Sequence, residues 1–255
     1  MTTPPNKVAV VTGGAGGIGK GCAAQLAADG FALVIADLRA EAAEKTANEF
    51  VAQGHHAVAT QTDITDATAC TAMIARAIEA FGRVDVLVNS AGISKPEPSL
   101  DVTPESWRRM IDVQLNGTFF CCQVAGRQFV LQGQGGCIVN ISSINAEAAF
   151  PMRTAYSCAK AGVTMMTKTL AIEWAQHNIR VNAVGPSHTE TEMTLQNIQR
   201  GVVDVDALKK RVPLGRLAKV EDVANAVSFL CSDRSSFITG QALYVDGGYL
   251  AFGYW

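Results

Sequence analysis

Short apolar runs recur along the chain, and after most of them apolar residues return with the three-to-four-residue spacing of a helix. KVAVVTG leads into a small-residue helix expected from about Gly17 to Asp29. FALVIAD leads into RAEAAEKTANEFVAQG, where Ala, Phe and Val mark one stripe. HAVATQTD is followed by ATACTAMIARAIEAFG and then by VDVLVNSAG. A long helix is expected from about Pro104 to Leu131, with proline in its first turn and Thr103 as its cap. GCIVNISS, a helix from about Thr154 to His177, IRVNAVGP, a helix near Val220 to Cys231, and ALYVDGG complete the series.

The apolar runs do not alternate with polar residues. A strand with one wet face alternates, whereas a strand covered by helices on both faces does not. Seven such runs separated by helical patterns predict an α/β fold, a single doubly wound domain over residues 1–255 built on a seven-stranded parallel sheet. No linker, repeat or low-complexity tract interrupts it.

Composition narrows the functional classes. The 255 residues are 48% hydrophobic and 17% charged, with a net charge of −2. That balance gives no electrostatic reason to expect nucleic acid or an anionic membrane as partner. No uncharged apolar run reaches the ~20 residues that span a bilayer, and MTTPPNKVAVVTGG lacks the basic and apolar segments of a signal peptide. Among seven cysteines there is no C-x-x-C pair, and the four histidines lack metal-ligand spacing. The expectation is a cytoplasmic protein with reduced, mostly buried cysteines and no metal.

VAVVTGGAGGIGKG runs from a strand through a glycine-rich turn into a helix, which is how backbone N–H groups are brought against a pyrophosphate. Two registers fit: G-x-G-x-x-G on Gly14, Gly16 and Gly19, and T-G-x-x-x-G-x-G on Thr12, Gly13, Gly17 and Gly19. Roughly twenty residues further on, Asp37 ends the second strand, where a carboxylate accepts from the ribose hydroxyls of a dinucleotide and repels the extra phosphate of NADP. Leu38 and Gly16 add no positive charge. Arg39 is the one neighbour able to accept a phosphate, and a role for Asp37 as a plain helix cap is the competing reading. NAD is therefore expected over NADP. Asp63 is a candidate for adenine contact or for capping the next helix. Asn89 to Gly92, NSAG, ends the fourth strand either as a close cofactor approach or as an ordinary tight turn.

In ISSINAEAAFPMRTAYSCAK, Tyr156 and Lys160 stand at i, i+4 on one helix face. A free tyrosine titrates near 10, too high for a base at neutral pH, and a neighbouring ammonium lowers that value. The pair makes chemical sense as a general base for alcohol oxidation and as an acid in reverse. Ser143, at a strand end, is placed to hold the substrate oxygen. An amphipathic helix face would produce the same spacing by chance.

Together these residues identify the resemblance. TGGAGGIG, NSAG, LNGTFF, IVNISS, YSCAK, IRVNAVGPS and ITGQALYVDGG resemble the short-chain dehydrogenases/reductases over nearly the full length. The resemblance implies a single Rossmann domain and a catalytic tetrad of Asn116, Ser143, Tyr156 and Lys160. Tyr156 would be the acid/base, Ser143 would orient the substrate oxygen, and Lys160 would bind the nicotinamide ribose and lower the Tyr156 pKa. Asn116, in a locally bent helix, would hold a water. Cofactor contacts implied by the family extend to Ile18, Ile64, Ala91, Pro186 and Thr191, and the usual assembly is a homotetramer. Three departures stand out: Ser90 for a usual asparagine, Cys158 and Ala159 within YSCAK, and Ser187 for a usual glycine.

Substrate choice in this family falls to the segments after Ser143, before Tyr156 and after Pro186. Here these offer Asn145, Glu147, Met152, Arg153 and His188, then a mobile region from about Glu190 to Gln199. Asn145 and His188 suit an extra hydroxyl, hence a polyol, sugar or vicinal diol; the competing view has His188 exposed and Asn145 fixing a turn. Arg153 suggests an anion site, but is weighed here as structural. The tail GGYLAFGYW packs its rings on the same subunit or carries Trp255 to a neighbour's pocket. The leading expectation is hydride transfer between NAD(H) and a small polyhydroxy alcohol. A 3-oxoacyl thioester reductase using NADPH and a catalytically silent nicotinamide-binding regulator are the alternatives.

Overall fold

All seven apolar runs are strands of one parallel sheet. In the computed structural model, which describes residues 7–199 and 204–253, they are β1 Val8–Thr12, β2 Ala32–Asp37, β3 Ala57–Gln61, β4 Val86–Asn89, β5 Gly136–Ile141, β6 Ile179–Pro186 and β7 Ala242–Val245. The helices are α1 Gly17–Ala28, α2 Ala40–Ala52, α3 Ala67–Phe81, α4 Pro104–Ile111, α5 Gly117–Gln132, α6 Thr154–Trp174, α7 Glu192–Gln199, α8 Val205–Arg211 and α9 Val220–Cys231. Strand order is β3-β2-β1-β4-β5-β6-β7, a single α/β domain with helices on both faces.

Successive strand residues feed opposite cores, as the pleat demands. Val8, Val10, Ala32 and Val34 pack with Met73 of α3, Phe129 of α5 and Leu170 of α6. Ala9, Val11, Leu33 and Ile35 pack with Leu26 of α1, Phe50 of α2 and Val227 of α9. Each large side chain so buried stabilises the fold by about 1.5–3 kcal/mol. Close helix contact needs glycine at Gly21 of α1, because a Cβ there would run into the Val220 side chain of α9.

The long helix expected from Pro104 to Leu131 is not continuous. Thr103 caps it by accepting from the Ser106 N–H at 3.1 Å, but residues Asp112–Asn116 form a single π-helical turn between α4 and α5. The Thr118 hydroxyl donates to the Gln114 carbonyl at 2.8 Å, the kind of side-chain bond that bends a helix. Hydrophobic period alone does not reveal one inserted residue. The region expected as mobile from Glu190 to Gln199 contains α7, and the basic residues Lys209, Lys210 and Arg211 form the last turn of α8.

Strand order reverses beside β1, since β2 and β4 flank it. Crevices at the carboxyl ends of such strands are where this architecture binds ligands. The Thr12 hydroxyl closes the base of the crevice, accepting from the N–H groups of Ser90 and Ala91 at 3.2 Å each.

Candidate active site

The glycine turn leaves no room for a side chain at Gly13 or Gly19. Gly13 has φ +64°, and a Cβ on it would stand 2.8 Å from the backbone of Ala91. A Cβ on Gly19 would overlap the Gly13 carbonyl. Ile18 packs its side chain toward the core below. The Thr191 methyl lies 3.6 Å from the Cβ position of Gly17, so the segment after β6 meets the turn. Bare backbone at the start of α1, faced by Thr191 and flanked by Asp37, fits a pyrophosphate-bearing cofactor.

Asp37 is nearly buried. Its Oδ2 accepts from the Ala15 N–H at 3.3 Å, and its Oδ1 accepts from the Arg39 N–H at 3.1 Å. It thus ties the glycine turn to β2 and makes no cap bond to α2, whose first turn begins after Arg39. A carboxylate keeps lone pairs for further donors. The Arg39 guanidinium reaches Asp37 at 3.4 Å, is 69% exposed, and stands 3.9 Å from the Cβ position of Gly16.

Asp63 does not cap the next helix. Asp66 does, accepting from the Thr68 N–H at 2.8 Å. Asp63 instead accepts from the Thr65 hydroxyl at 2.7 Å and the Thr65 N–H at 2.9 Å, and those bonds hold its carboxyl below the usual range. Ile64 is buried and packs against Gly117. The Asn89 amide points into the interior and donates to Asn140 Oδ1 at 2.9 Å. Gly92 passes the Gln114 side chain so closely that a Cβ would stand 2.9 Å from it.

The end of β5 and the first turns of α6 bring Ser143, Tyr156 and Lys160 together. Lys160 Nζ lies 5.7 Å from the Tyr156 ring centre and donates to the Ile141 carbonyl at 2.7 Å. Ser142 fixes the same junction through Thr164 at 2.9 Å. The π-helical turn packs on α6, with Leu115 3.0 Å from the Cβ position of Gly162. It carries Asn116, whose amide donates to Asp112 at 2.8 Å.

The pKa pattern departs from the expectation for the pair. Burial raises the Tyr156 phenol, and the opposing Ser143 hydroxyl and Arg153 charge do not overcome it. Tyr156 retains partial surface exposure, but protein packed around it limits the water available to a phenolate. Burial also brings the Lys160 ammonium down to about 7. A lysine so desolvated is largely neutral above that value, so Lys160 lends the tyrosine little positive charge of its own.

Three distant segments meet beside these groups. His188 stands edge-on to Phe150 at 6.2 Å and to Tyr249 at 6.2 Å, and Phe150 stacks on Tyr249 at 5.8 Å. His188 is therefore not exposed. Its Nε2 is enclosed with no hydrogen-bond partner among the described residues, and burial first, then the charge of Arg153, lowers its pKa. Asn145 does fix a turn, its N–H donating to Ser143 Oγ at 3.1 Å. Arg211 lies 4.7 Å over the Tyr249 ring and 5.3 Å over Phe252, and donates to the Phe252 carbonyl at 2.7 Å. Part of the aromatic tail thus packs on its own chain, while Trp255 lies outside the described residues. Phe150, Tyr249 and Arg211 escape sequence reasoning because only the fold joins positions so far apart.

All seven cysteines are free, and Cys158 is exposed. Among the described residues no His, Cys, Asp and Glu group could hold a metal, and no helix is long and apolar enough to cross a membrane.

Residues 13–250 match the family profile described as enoyl-(acyl carrier protein) reductase. The chain belongs to this family of short-chain dehydrogenases/reductases and is an oxidoreductase of the alcohol/ketone type. It is 42% identical over 247 residues to the cis-4-hydroxycyclohexanecarboxylate dehydrogenase of Sinomonas cyclohexanicum, covering 96% of this chain and 97% of the relative. It is 38% identical over 247 residues to the D-threitol dehydrogenase of Mycolicibacterium smegmatis, covering 95% and 92%. A solved gluconate 5-dehydrogenase from Burkholderia cenocepacia, in complex with NADP and tartrate, superposes with a TM-score of 0.92 at 34% identity, covering 97% and 96%.

Proposed function

We propose that the protein is an NAD-dependent dehydrogenase of a small secondary alcohol, a polyol, sugar or vicinal diol, acting through Asn116, Ser143, Tyr156 and Lys160. The observation that carries this reading is the junction of β5 and α6, where a serine, a phenol and a buried lysine come together. When bound against the glycine turn, the nicotinamide cofactor supplies the acceptor or donor of hydride. Ser143 holds the substrate oxygen, and Tyr156 takes or gives the hydroxyl proton. Lys160 would hold the cofactor ribose, and would favour the phenolate in its charged form. Asn116 links Lys160 to solvent through water.

Gly13, Gly17, Gly19 and Asp37 would bind the adenosine and pyrophosphate end, with Asp63, Asn89, Ala91 and Gly92 along the floor. Pro186 and Thr191 would face the nicotinamide. Asn145 would meet a second substrate hydroxyl. His188 would do so through its other nitrogen, or after Tyr249 moves aside, because Nε2 is enclosed. D-threitol in one relative's name supports a polyhydroxy substrate. Met165 and Ile172 stand 60% and 80% exposed on one face of α6, which supports a homotetramer; a cytoplasmic location completes the reading.

The test is reduction of NAD, and separately NADP, across polyols, diols, sugars and hydroxyacyl thioesters. Turnover with NAD and a polyhydroxy alcohol is expected. Turnover confined to NADP and hydroxyacyl thioesters would overturn the reading in favour of a 3-oxoacyl thioester reductase, with Arg39 holding the extra phosphate.

A further inference from the structure

Ser143 and Asn145 stand at the first turn after β5 and are joined by two hydrogen bonds. The Asn145 N–H donates to Ser143 Oγ at 3.1 Å, and the Ser143 hydroxyl donates to Asn145 Oδ1 at 3.2 Å. The other end of the amide is fixed as well, since Asn145 Nδ2 donates to Ser157 Oγ at 3.4 Å. Ser157 follows Tyr156 in α6, so this amide bridges the segments that carry the proposed serine and phenol.

A serine hydroxyl has one proton to donate. Here that proton is committed to Asn145 Oδ1, which keeps the buried Ser143 hydroxyl paired. A substrate oxygen held by Ser143 has to take the proton over, and Asn145 Oδ1 then loses its donor. A monohydroxy alcohol offers Oδ1 nothing in return. A hydroxyl on the adjacent carbon does. Oxygens on neighbouring carbons are spaced much like Ser143 Oγ and Asn145 Oδ1, so the two pairs can meet as parallel hydrogen bonds. Nearby groups are less available to that second hydroxyl: Glu147 is held by Tyr244 at 2.9 Å, and His188 Nε2 is enclosed.

We infer that Asn145 is a specificity-determining residue that selects vicinal diols, its Oδ1 exchanging the Ser143 proton for the hydroxyl beside the reacting carbon. This rests on the proposed alcohol dehydrogenase reading and narrows its substrate class to molecules with oxygens on adjacent carbons. A vicinal diol leaves both side chains partnered. A monohydroxy alcohol leaves Oδ1 bare, and a 1,3-diol spaces its oxygens too widely for the pair.

Three ligands of one carbon skeleton test the assignment by calorimetry, with NADH and NADPH both present so that no oxidation occurs: butane-2,3-diol, butane-1,3-diol and butan-2-ol. The 2,3-diol should bind at least ~10-fold more tightly than either of the others. Asn145→Ala should erase that preference by weakening the 2,3-diol while butan-2-ol binds as before, and Asn145→Asp, which keeps an acceptor, should retain it. A merely structural asparagine would weaken all three ligands alike. Equal affinities in the wild type, including no binding of any ligand, would overturn the inference, as would a preference that survives in a folded Asn145→Ala protein. If the preference holds but no alcohol is oxidised with either cofactor, the dehydrogenase reading alone has failed.

Discussion

The Lys160 ammonium is pinned between two elements: its Nζ donates to the Ile141 carbonyl at the end of β5, at 2.7 Å, and lies 5.7 Å from the centre of the Tyr156 ring. A 5% exposed lysine beside a phenol suits the proton transfer proposed for the pair.

Burying Lys160 costs stability, and the cost depends on pH. Its pKa falls from 10.5 to about 7 on folding. Between those values the unfolded chain binds more protons at this side chain than the folded one, so rising pH favours the folded state through that window. Denaturant titrations should show the wild type gaining stability relative to Lys160→Met as pH rises from 7 toward 10. A difference independent of pH would show that the lysine is not desolvated.

On the proposed reading, Asp37 sets cofactor choice through its charge. Asp37→Ser should lower the kcat/KM advantage of NAD over NADP by at least ~10-fold, since both ribose bonding and phosphate repulsion are lost. Steady-state kinetics with both cofactors measures it, and an unchanged ratio would leave Asp37 as only a tie between Ala15 and Arg39.

The glycine turn tolerates no methyl group at position 19, where a Cβ would overlap the Gly13 carbonyl. Backbone on both sides leaves no soft neighbour to yield. Gly19→Ala should weaken NAD binding by more than ~10-fold and lower Tm by several degrees. Wild-type affinity read by titration of cofactor fluorescence would place the cofactor elsewhere.

The strands were legible because helices on both faces leave a strand no reason to alternate, as VAVV and ALVIA show. Asp37, Tyr156 and Lys160 were legible because their residue types are chemically conspicuous at those spacings. The π-helical turn at Asp112–Asn116 was not visible in the hydrophobic period, because one inserted residue barely disturbs it. The Phe150, His188 and Tyr249 cluster was hidden for another reason: each ring belongs to a different loop, and only the parallel sheet brings those loops to one edge. The direction of the Tyr156 shift depended on how much protein surrounds the phenol, which spacing does not contain.

Arg211 clasps the tail, its guanidinium against the rings of Tyr249 and Phe252, and Tyr249 in turn packs on His188. Arg211→Ala should raise substrate KM severalfold while leaving the KM for NAD within about twofold, because the clasp borders the substrate side only. Faster proteolytic trimming of the C-terminus should accompany it. Equal effects on both KM values would mean a general loss of structure instead.

Tyr156→Phe removes a single oxygen from the centre of the proposed chemistry and keeps the ring beneath Lys160. With the best alcohol from the panel and saturating NAD, turnover should fall by ~10²-fold or more, with Tm and cofactor affinity near those of the wild type. A Tyr156→Phe protein that keeps more than about a tenth of the wild-type rate would contradict Tyr156 as the acid/base.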